Sequence, residues 1–254
     1  MGWIVEIGAG SWPASSAAIG VGVCVFFVWC WLSTRNHRFR LEIIALLGFS
    51  GVAAFLGGLL LPWLVGESGL SSLGALMGAG LVLLALPLRT GLDRWRAADH
   101  LVPAGIAGLS VARLGCLFEG CDFGKVTGGD WGVVHEAGTR AFDAHVIFYQ
   151  MSPFEAGSLS VHPFALYLAL WGIAAAGVGE WRRSKGDGPG ASAMLAAAVF
   201  FFGGAVIEFF REPQMVHQVV DGVSVYPVLY FGGALVAIML RRRAIRRAQR
   251  SPRE

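Results

Sequence analysis

The chain has 254 residues, 55% of them hydrophobic and only 15% charged, with a mean hydropathy of +0.61. A soluble domain carries about a quarter charged residues to cover its surface, so a water-soluble globule is excluded. The 36 glycines fit packed transmembrane helices, where small residues let backbones approach. Four cysteines are too few for a disulfide scaffold, and a net charge of +3 gives no reason to expect a nucleic-acid partner.

From the N-terminus, residues 1–16 contain no Lys or Arg. The basic region that opens a cleavable leader is missing, and no such leader is expected. Crossing ~30 Å of hydrocarbon takes roughly 20 apolar residues. Stretches of that kind fall at 15–32, 41–65, 69–88, 101–117, 163–179, 192–210 and 226–240. The reading is an all-α, polytopic membrane protein with about seven transmembrane helices, forming one unit over residues 1–254. Trp12, Trp63, Trp95, Trp131 and Trp181 fall near span ends, where an amphipathic ring suits the interface.

The loops alternate in charge. Arg35, Arg38 and Arg40 follow the first span, Arg89, Arg94 and Arg96 the third, and Arg182, Arg183 and Lys185 the fifth. Seven arginines from Arg241 to Arg253 follow the last, so 16 of the 20 basic residues lie on one side. The positive-inside rule makes that side cytoplasmic and puts the N-terminus outside. The basic tail reads as a stop-transfer segment that binds anionic lipid. One outside loop, 122–161, is long enough to be a small folded head or a lid. It carries turn signals and a β-like run at 144–149.

Three groups of polar residues then stand out. Arg113 lies inside the fourth span, where an arginine costs at least ~2.5–3.5 kcal/mol and normally faces a cavity or a partner. Glu208 and Arg211 share a helical face at the outer end of the sixth span. His162-Pro163 opens the fifth, with Tyr167 about one turn inside. Each also has a structural reading: Arg113 snorkelling outward, Glu208 pairing with Arg211 to close a helix before Pro213, and His162 exposed before a helix-opening proline. Taken together, two arginines near the outer face make a receptor for an anionic lipid phosphate, since planar guanidinium binds two oxygens at once.

These segments, in this order, resemble the bacterial prolipoprotein diacylglyceryl transferase family. Arg113-Leu114-Gly115-Cys116-Leu117-Phe118-Glu119-Gly120-Cys121-Asp122-Phe123-Gly124 is similar to the family's Arg-Ile-Gly-Asn-Phe-x-x-Gly-Glu signature and the glycine after it. Asp130-Trp131-Gly132 resembles its Pro-Trp-Gly, His162-Pro163-Phe164-Ala165-Leu166-Tyr167 its His-Pro-x-Gln-Leu-Tyr-Glu, and Glu208-Phe209-Phe210-Arg211-Glu212-Pro213 its Glu-Phe-Phe-Arg-x-Pro. The resemblance implies seven spans in the bacterial inner membrane. It also implies transfer of the diacylglyceryl group of phosphatidylglycerol to the lipobox cysteine of a precursor protein, with membrane lipids as surroundings and no cofactor. Arg113, Arg211, Glu208, His162 and Tyr167 are the catalytic candidates. Arg113, Arg211, Gly115, Cys116, Cys121 and Gly124 are the substrate-binding candidates.

The resemblance is incomplete at several positions, and the His-Pro motif lacks its Gln and Glu, with Ala165 and Leu168 in their places. The family's His-Gly-Gly element falls at Leu73-Gly74-Ala75, without its histidine, and Cys116 and Cys121 stand where the signature has Asn and Glu. Glu208 and His162 are then the candidates for the base. The two cysteines have three readings: a disulfide, a thiolate beside the arginines, or packing. With His135, His145 and His217 they match no standard zinc spacing, and no metal is expected. Alternatives to the transferase are a related enzyme with a different acceptor, a non-catalytic lipid-binding protein, and a transporter.

Overall fold

The structure, a computed structural model, describes residues 4–7, 14–35, 38, 40–64, 78–79, 81–82, 93–212, 219–220, 223–224 and 226–250. The expected third span at 69–88 falls almost wholly outside these residues, as do Trp12, Leu73-Gly74-Ala75, Pro213 and His217. The described chain is predominantly helical: α1 (Ala14–Ser33), α2 (Arg40–Leu64), α3 (Arg94–Ala112), α4 (Leu114–Glu119), α5 (Arg140–Phe148), α6 (Phe164–Arg183), α7 (Ala191–Ile207) and α8 (Tyr226–Arg250). A 3-10 turn, Glu208–Phe210, extends α7. Short strands β1 (Ile4–Ile7) and β2 (Gly132–His135) pair in parallel, and β3 (Val219–Val220) pairs antiparallel with β4 (Val223–Ser224).

Among the described residues, five helices are long and apolar enough to cross a membrane: Ser16–Ser33, Arg40–Leu60, Arg94–Glu119, Phe164–Arg183 and Ala191–Phe210. Their surfaces are turned inside out relative to a soluble bundle. Val28, Phe49, Val52, Phe55 and Leu170 are exposed, while small residues fill the middle. Ile106 and Ala107 of α3 pack with Ala175 and Ala176 of α6 and Ala196 of α7. The α1–α3 crossing is closer still: a methyl group on Gly22 would stand 2.5 Å from the Gly108 carbonyl oxygen. Without a hydrophobic force between helices in lipid, such close backbone approach is the main source of adhesion.

The fourth expected span, 101–117, begins earlier than its apolar run, at Arg94. Asp93 caps the helix by accepting from the Trp95 amide at 2.9 Å, and the polar residues after it have partners. The buried Asp99 carboxylate accepts from the Gly190 and Ala193 amides at 2.8 Å each, so α3 caps the N-terminus of α7 from the side. His100 Nδ1 lies 2.6 Å from Ser33 Oγ on α1. The expected strand at 144–149 is instead the end of α5. Thr139 caps that helix through the Phe142 amide, and Ala141, Phe142, Ala144 and His145 form its buried face. The spacing is helical, and the buried cluster of Phe123, Ala141, Ala144 and Val161 is built on it.

The α3 and α7 helices run in the same direction, locked together at Asp99. Arg113, 19 residues after Arg94, is about 28 Å along its helix, and Arg211 follows a 20-residue span of about 30 Å. Both arginines thus arrive at the same end of the bundle. Arg182 and Arg241, which share Asp187, mark the opposite end. The pairing of β1 with β2 sets the N-terminal strand at the Arg113 end.

Candidate functional site

The α4 helix ends at Gly120, whose φ of 61° and ψ of 26° are left-handed, a conformation that costs glycine little. This turn lays Cys121 back over the last turn of α4, as helix-ending glycines do, and aims the next residue, Asp122, at Arg113. Arg113 Nη1 donates to Asp122 Oδ2 at 2.8 Å. Arg211 Nη1 donates to the other oxygen, Oδ1, of the same carboxylate. Arg211 also donates from Nε and Nη2 to Glu208 Oε2 and Oε1, at 2.7 and 2.9 Å. The two guanidiniums therefore converge, and the pairing of Glu208 with Arg211 is one arm of a four-residue cluster. Asp122 and Glu208 are buried. The Arg211 guanidinium also lies 4.3 Å from the ring centre of the fully buried Phe164, a favourable cation–π placement.

The segment after Asp122 is threaded between two others. The Gly124 amide donates to the His162 carbonyl at 3.2 Å, and the Lys125 amide donates to the Phe210 carbonyl at 2.8 Å. A methyl group on Gly124 would stand 2.6 Å from His162 Cβ and 2.7 Å from the Phe210 carbonyl oxygen. Only a residue without a side chain fits there. Through that segment His162 is brought beside Arg211. The His162 ring packs on Phe210 and on the half-exposed Trp131, at 5.1 and 4.8 Å between centres. Its Nδ1 lies 3.3 Å from the Tyr167 hydroxyl. Burial, with a smaller contribution from Lys125, holds the His162 pKa below its ordinary value of 6.5.

Gly115 is buried in the first turn of α4, and Cys116 and Cys121 are half-buried. Both cysteines are free thiols, so the disulfide reading is corrected. Their side chains meet through a hydrogen bond, a contact that follows from the Gly120 turn. No group of three or more His, Cys, Asp or Glu among the described residues suits a metal ion. A groove of about 510 Å³ runs along α1 from Val21 to Ser33, with apolar walls and with Ser33 and Glu180 at the end away from Arg113.

Every site residue singled out from the sequence falls at the α3–α4 junction, on α4, on the α6 entry, at the end of α7 or on the segment between α4 and α6. Three others join them. Asp122, the shared carboxylate, sits one position after the Cys121 that replaces the signature's glutamate. An acid so close to an intramembrane arginine is a readable signal. Phe164 and Tyr230, the latter within electrostatic reach of Arg113, Glu208, Arg211 and Asp122, carry no such signal, because apolar and aromatic residues fill every span.

Residues 59–240 match the sequence model of the family described as prolipoprotein diacylglyceryl transferase. The chain is 31% identical over 157 residues to the phosphatidylglycerol–prolipoprotein diacylglyceryl transferase of Pasteurella multocida, covering 59% of this chain and 49% of that protein. To the proteins of the same name from Clostridium tetani and Mannheimia succiniciproducens it is 23% and 26% identical. Those alignments cover 70% and 71% of this chain and 69% and 63% of the relatives. The chain thus spans between about half and about two thirds of the length of these relatives. The family match takes in most of the chain and all of the arginine cluster, and the chain belongs to the prolipoprotein diacylglyceryl transferase family.

Proposed function

We propose that this chain transfers the diacylglyceryl group of phosphatidylglycerol to the cysteine thiol of a lipobox-bearing precursor protein. The observation that carries this reading is the convergence of Arg113 and Arg211 on one carboxylate at one end of the bundle. In such a reaction a thiolate attacks the glyceryl carbon that bears the phosphate. The S–C bond forms, the C–O bond breaks and glycerol phosphate leaves. The phosphate enters as a diester with one negative charge and leaves as a monoester with a second. Cationic donors fixed where that charge grows favour the transition state over the bound lipid.

Arg113 and Arg211 are the clamp in this mechanism, and Asp122 holds them together until a lipid phosphate takes its place. Glu208, with both oxygens engaged by Arg211, anchors that arginine. His162 takes the thiol proton, because its lowered pKa leaves it neutral at pH 7, and Tyr167 orients it. Gly115, Cys116, Cys121 and Gly124 shape the turn against which the lipid headgroup lies. The protein sits in the bacterial inner membrane as one unit over residues 1–254, with the N-terminus and the 122–161 head outside. The first part of α8 adds a span to the five, and the apolar stretch of sequence at 69–88, outside the described residues, brings the expected number to seven, with a cytoplasmic C-terminus.

The test is conversion of a lipobox peptide to its diacylglyceryl thioether in membranes that contain the chain and phosphatidylglycerol. Arg113→Ala and Arg211→Ala are each expected to lower conversion at least ~100-fold with membrane insertion intact. No conversion while a relative succeeds defeats the reading. Lipid turnover without a thioether assigns another acceptor, and lipid binding without turnover makes the chain a lipid-binding protein.

A further inference from the structure

The head carries an apolar edge that the transferase reading does not use. α5 is divided along its length: Arg140 and Asp143 are exposed in its first half, Ile147 and Phe148 at its end. The edge continues through Tyr149 to Phe154, which is 95% exposed, against 69% for Ile147. Phe154 is not on a loose end. It is held in a turn in which its amide bonds to Ser152 Oγ at 3.3 Å and the Glu155 amide to the Ser152 carbonyl at 3.2 Å. The fold thus builds a rigid turn whose outermost residue is a phenylalanine.

Two observations identify what covers this edge. The first is its level. The Tyr149 hydroxyl donates to Glu212 Oε2 at 3.1 Å, and Glu212 is the second residue beyond Phe210, where the apolar span of α7 ends. Just before it, Phe209 is 66% exposed, on a helix surface that faces lipid. The edge is therefore continuous with the lipid-facing surface at the place where that surface leaves the hydrocarbon. The second is its shape. Phe154 protrudes, whereas a peptide is gripped in a groove with pockets for its side chains. A convex aromatic and aliphatic ridge at the height of a span end suits the boundary between headgroups and acyl chains, where aromatic rings with a polar neighbour are enriched.

We infer that the ridge from Ile147 to Phe154 enters the lipid interface at the Arg113–Arg211 end of the bundle, fixing the head against the bilayer. The inference concerns the membrane surface and holds whichever acceptor the chain serves. The experiment places p-benzoylphenylalanine at position 154 of the full chain, in vesicles of phosphatidylcholine and phosphatidylglycerol. A second variant carries the photoprobe at Leu170, a lipid-facing position within α6. After irradiation, phospholipid adducts at both positions, within about threefold of each other in yield, are the expected result. Adducts at 170 with none at 154 overturn the inference. Peptide adducts in place of phospholipid adducts at 154, with a lipobox peptide added, also overturn it, because the ridge is then a peptide contact. Both positions are exposed, Phe154 almost fully, so the photoprobe disturbs little packing.

Discussion

At Asp122 two guanidiniums share one carboxylate, with Glu208 holding the second arginine from its other edge. Two like charges a few ångströms apart repel by about 4 kcal/mol at an effective dielectric of 20, so the acid keeps the pair together. Asp122→Asn leaves the arginines with one carboxylate and is expected to cost about 3 kcal/mol, read as a lower thermal midpoint in detergent. Added phosphatidylglycerol should restore more of that midpoint in the variant than in the parent, because its phosphate replaces the lost charge. A variant indifferent to lipid contradicts the role given to Asp122. For His162, conversion should rise with pH through a midpoint below 6.5, because the proposed base acts as the neutral ring. His162→Gln should remove that acid limb from the pH profile. The contact of Asp122 with Arg211 is not legible in the sequence, since it reaches across 89 positions.

At the scale of elements, the segment 122–126 does the positioning. It passes between the end of α7 and the entry to α6, with bridges Gly124–Arg211 and Val126–Val161. Gly124→Ala would force His162 and Phe210 apart, and overpacking of this kind costs about 1–3 kcal/mol. Conversion should fall more than about tenfold, with a loss of thermal stability too small to explain it. An unaffected rate would show that the spacing between His162 and Arg211 is not critical. Helix ends were harder to read than helix interiors for a related reason. Charged and polar residues at 94–100 look like a loop in sequence, but Asp99 and His100 find partners on α7 and α1, so the helix runs through them. Likewise the run at 144–149 has strand-like composition, and the cap at Thr139 together with the core under α5 makes it helical.

At the scale of the molecule, the segment 122–161, which joins α4 to α6, is expected to depend on pH for its stability. His135 and His145 are buried, and burial holds the pKa of each down to about 4, against an ordinary 6.5; for His135 the nearby His145 adds to the effect. The unfolded head takes up protons first as pH falls. The contribution is therefore complete above about pH 6.5 and is lost toward pH 4, by roughly 3 kcal/mol per histidine. The thermal midpoint should drop between pH 7.5 and pH 5, and His135→Gln with His145→Gln should flatten that dependence. An unchanged slope in the double variant would mean that other groups govern the acid response.

The sequence by itself determined the membrane class, six of the helices, the separation of basic residues to one end, and the family, because hydropathy and charge are local properties summed along the chain. Motif residues such as Arg113, His162, Glu208 and Arg211 were legible for the same reason: an ionisable group in an apolar run announces itself. What only the tertiary structure decided is which of them touch. The sharing of Asp122, the threading of Gly124, the free state of the two thiols and the capping of α7 by Asp99 all join residues distant in sequence or depend on the angle of one turn. Side-chain partnership is a matter of distance in space, and packing small residues between helices is what brings those distances down to a hydrogen bond.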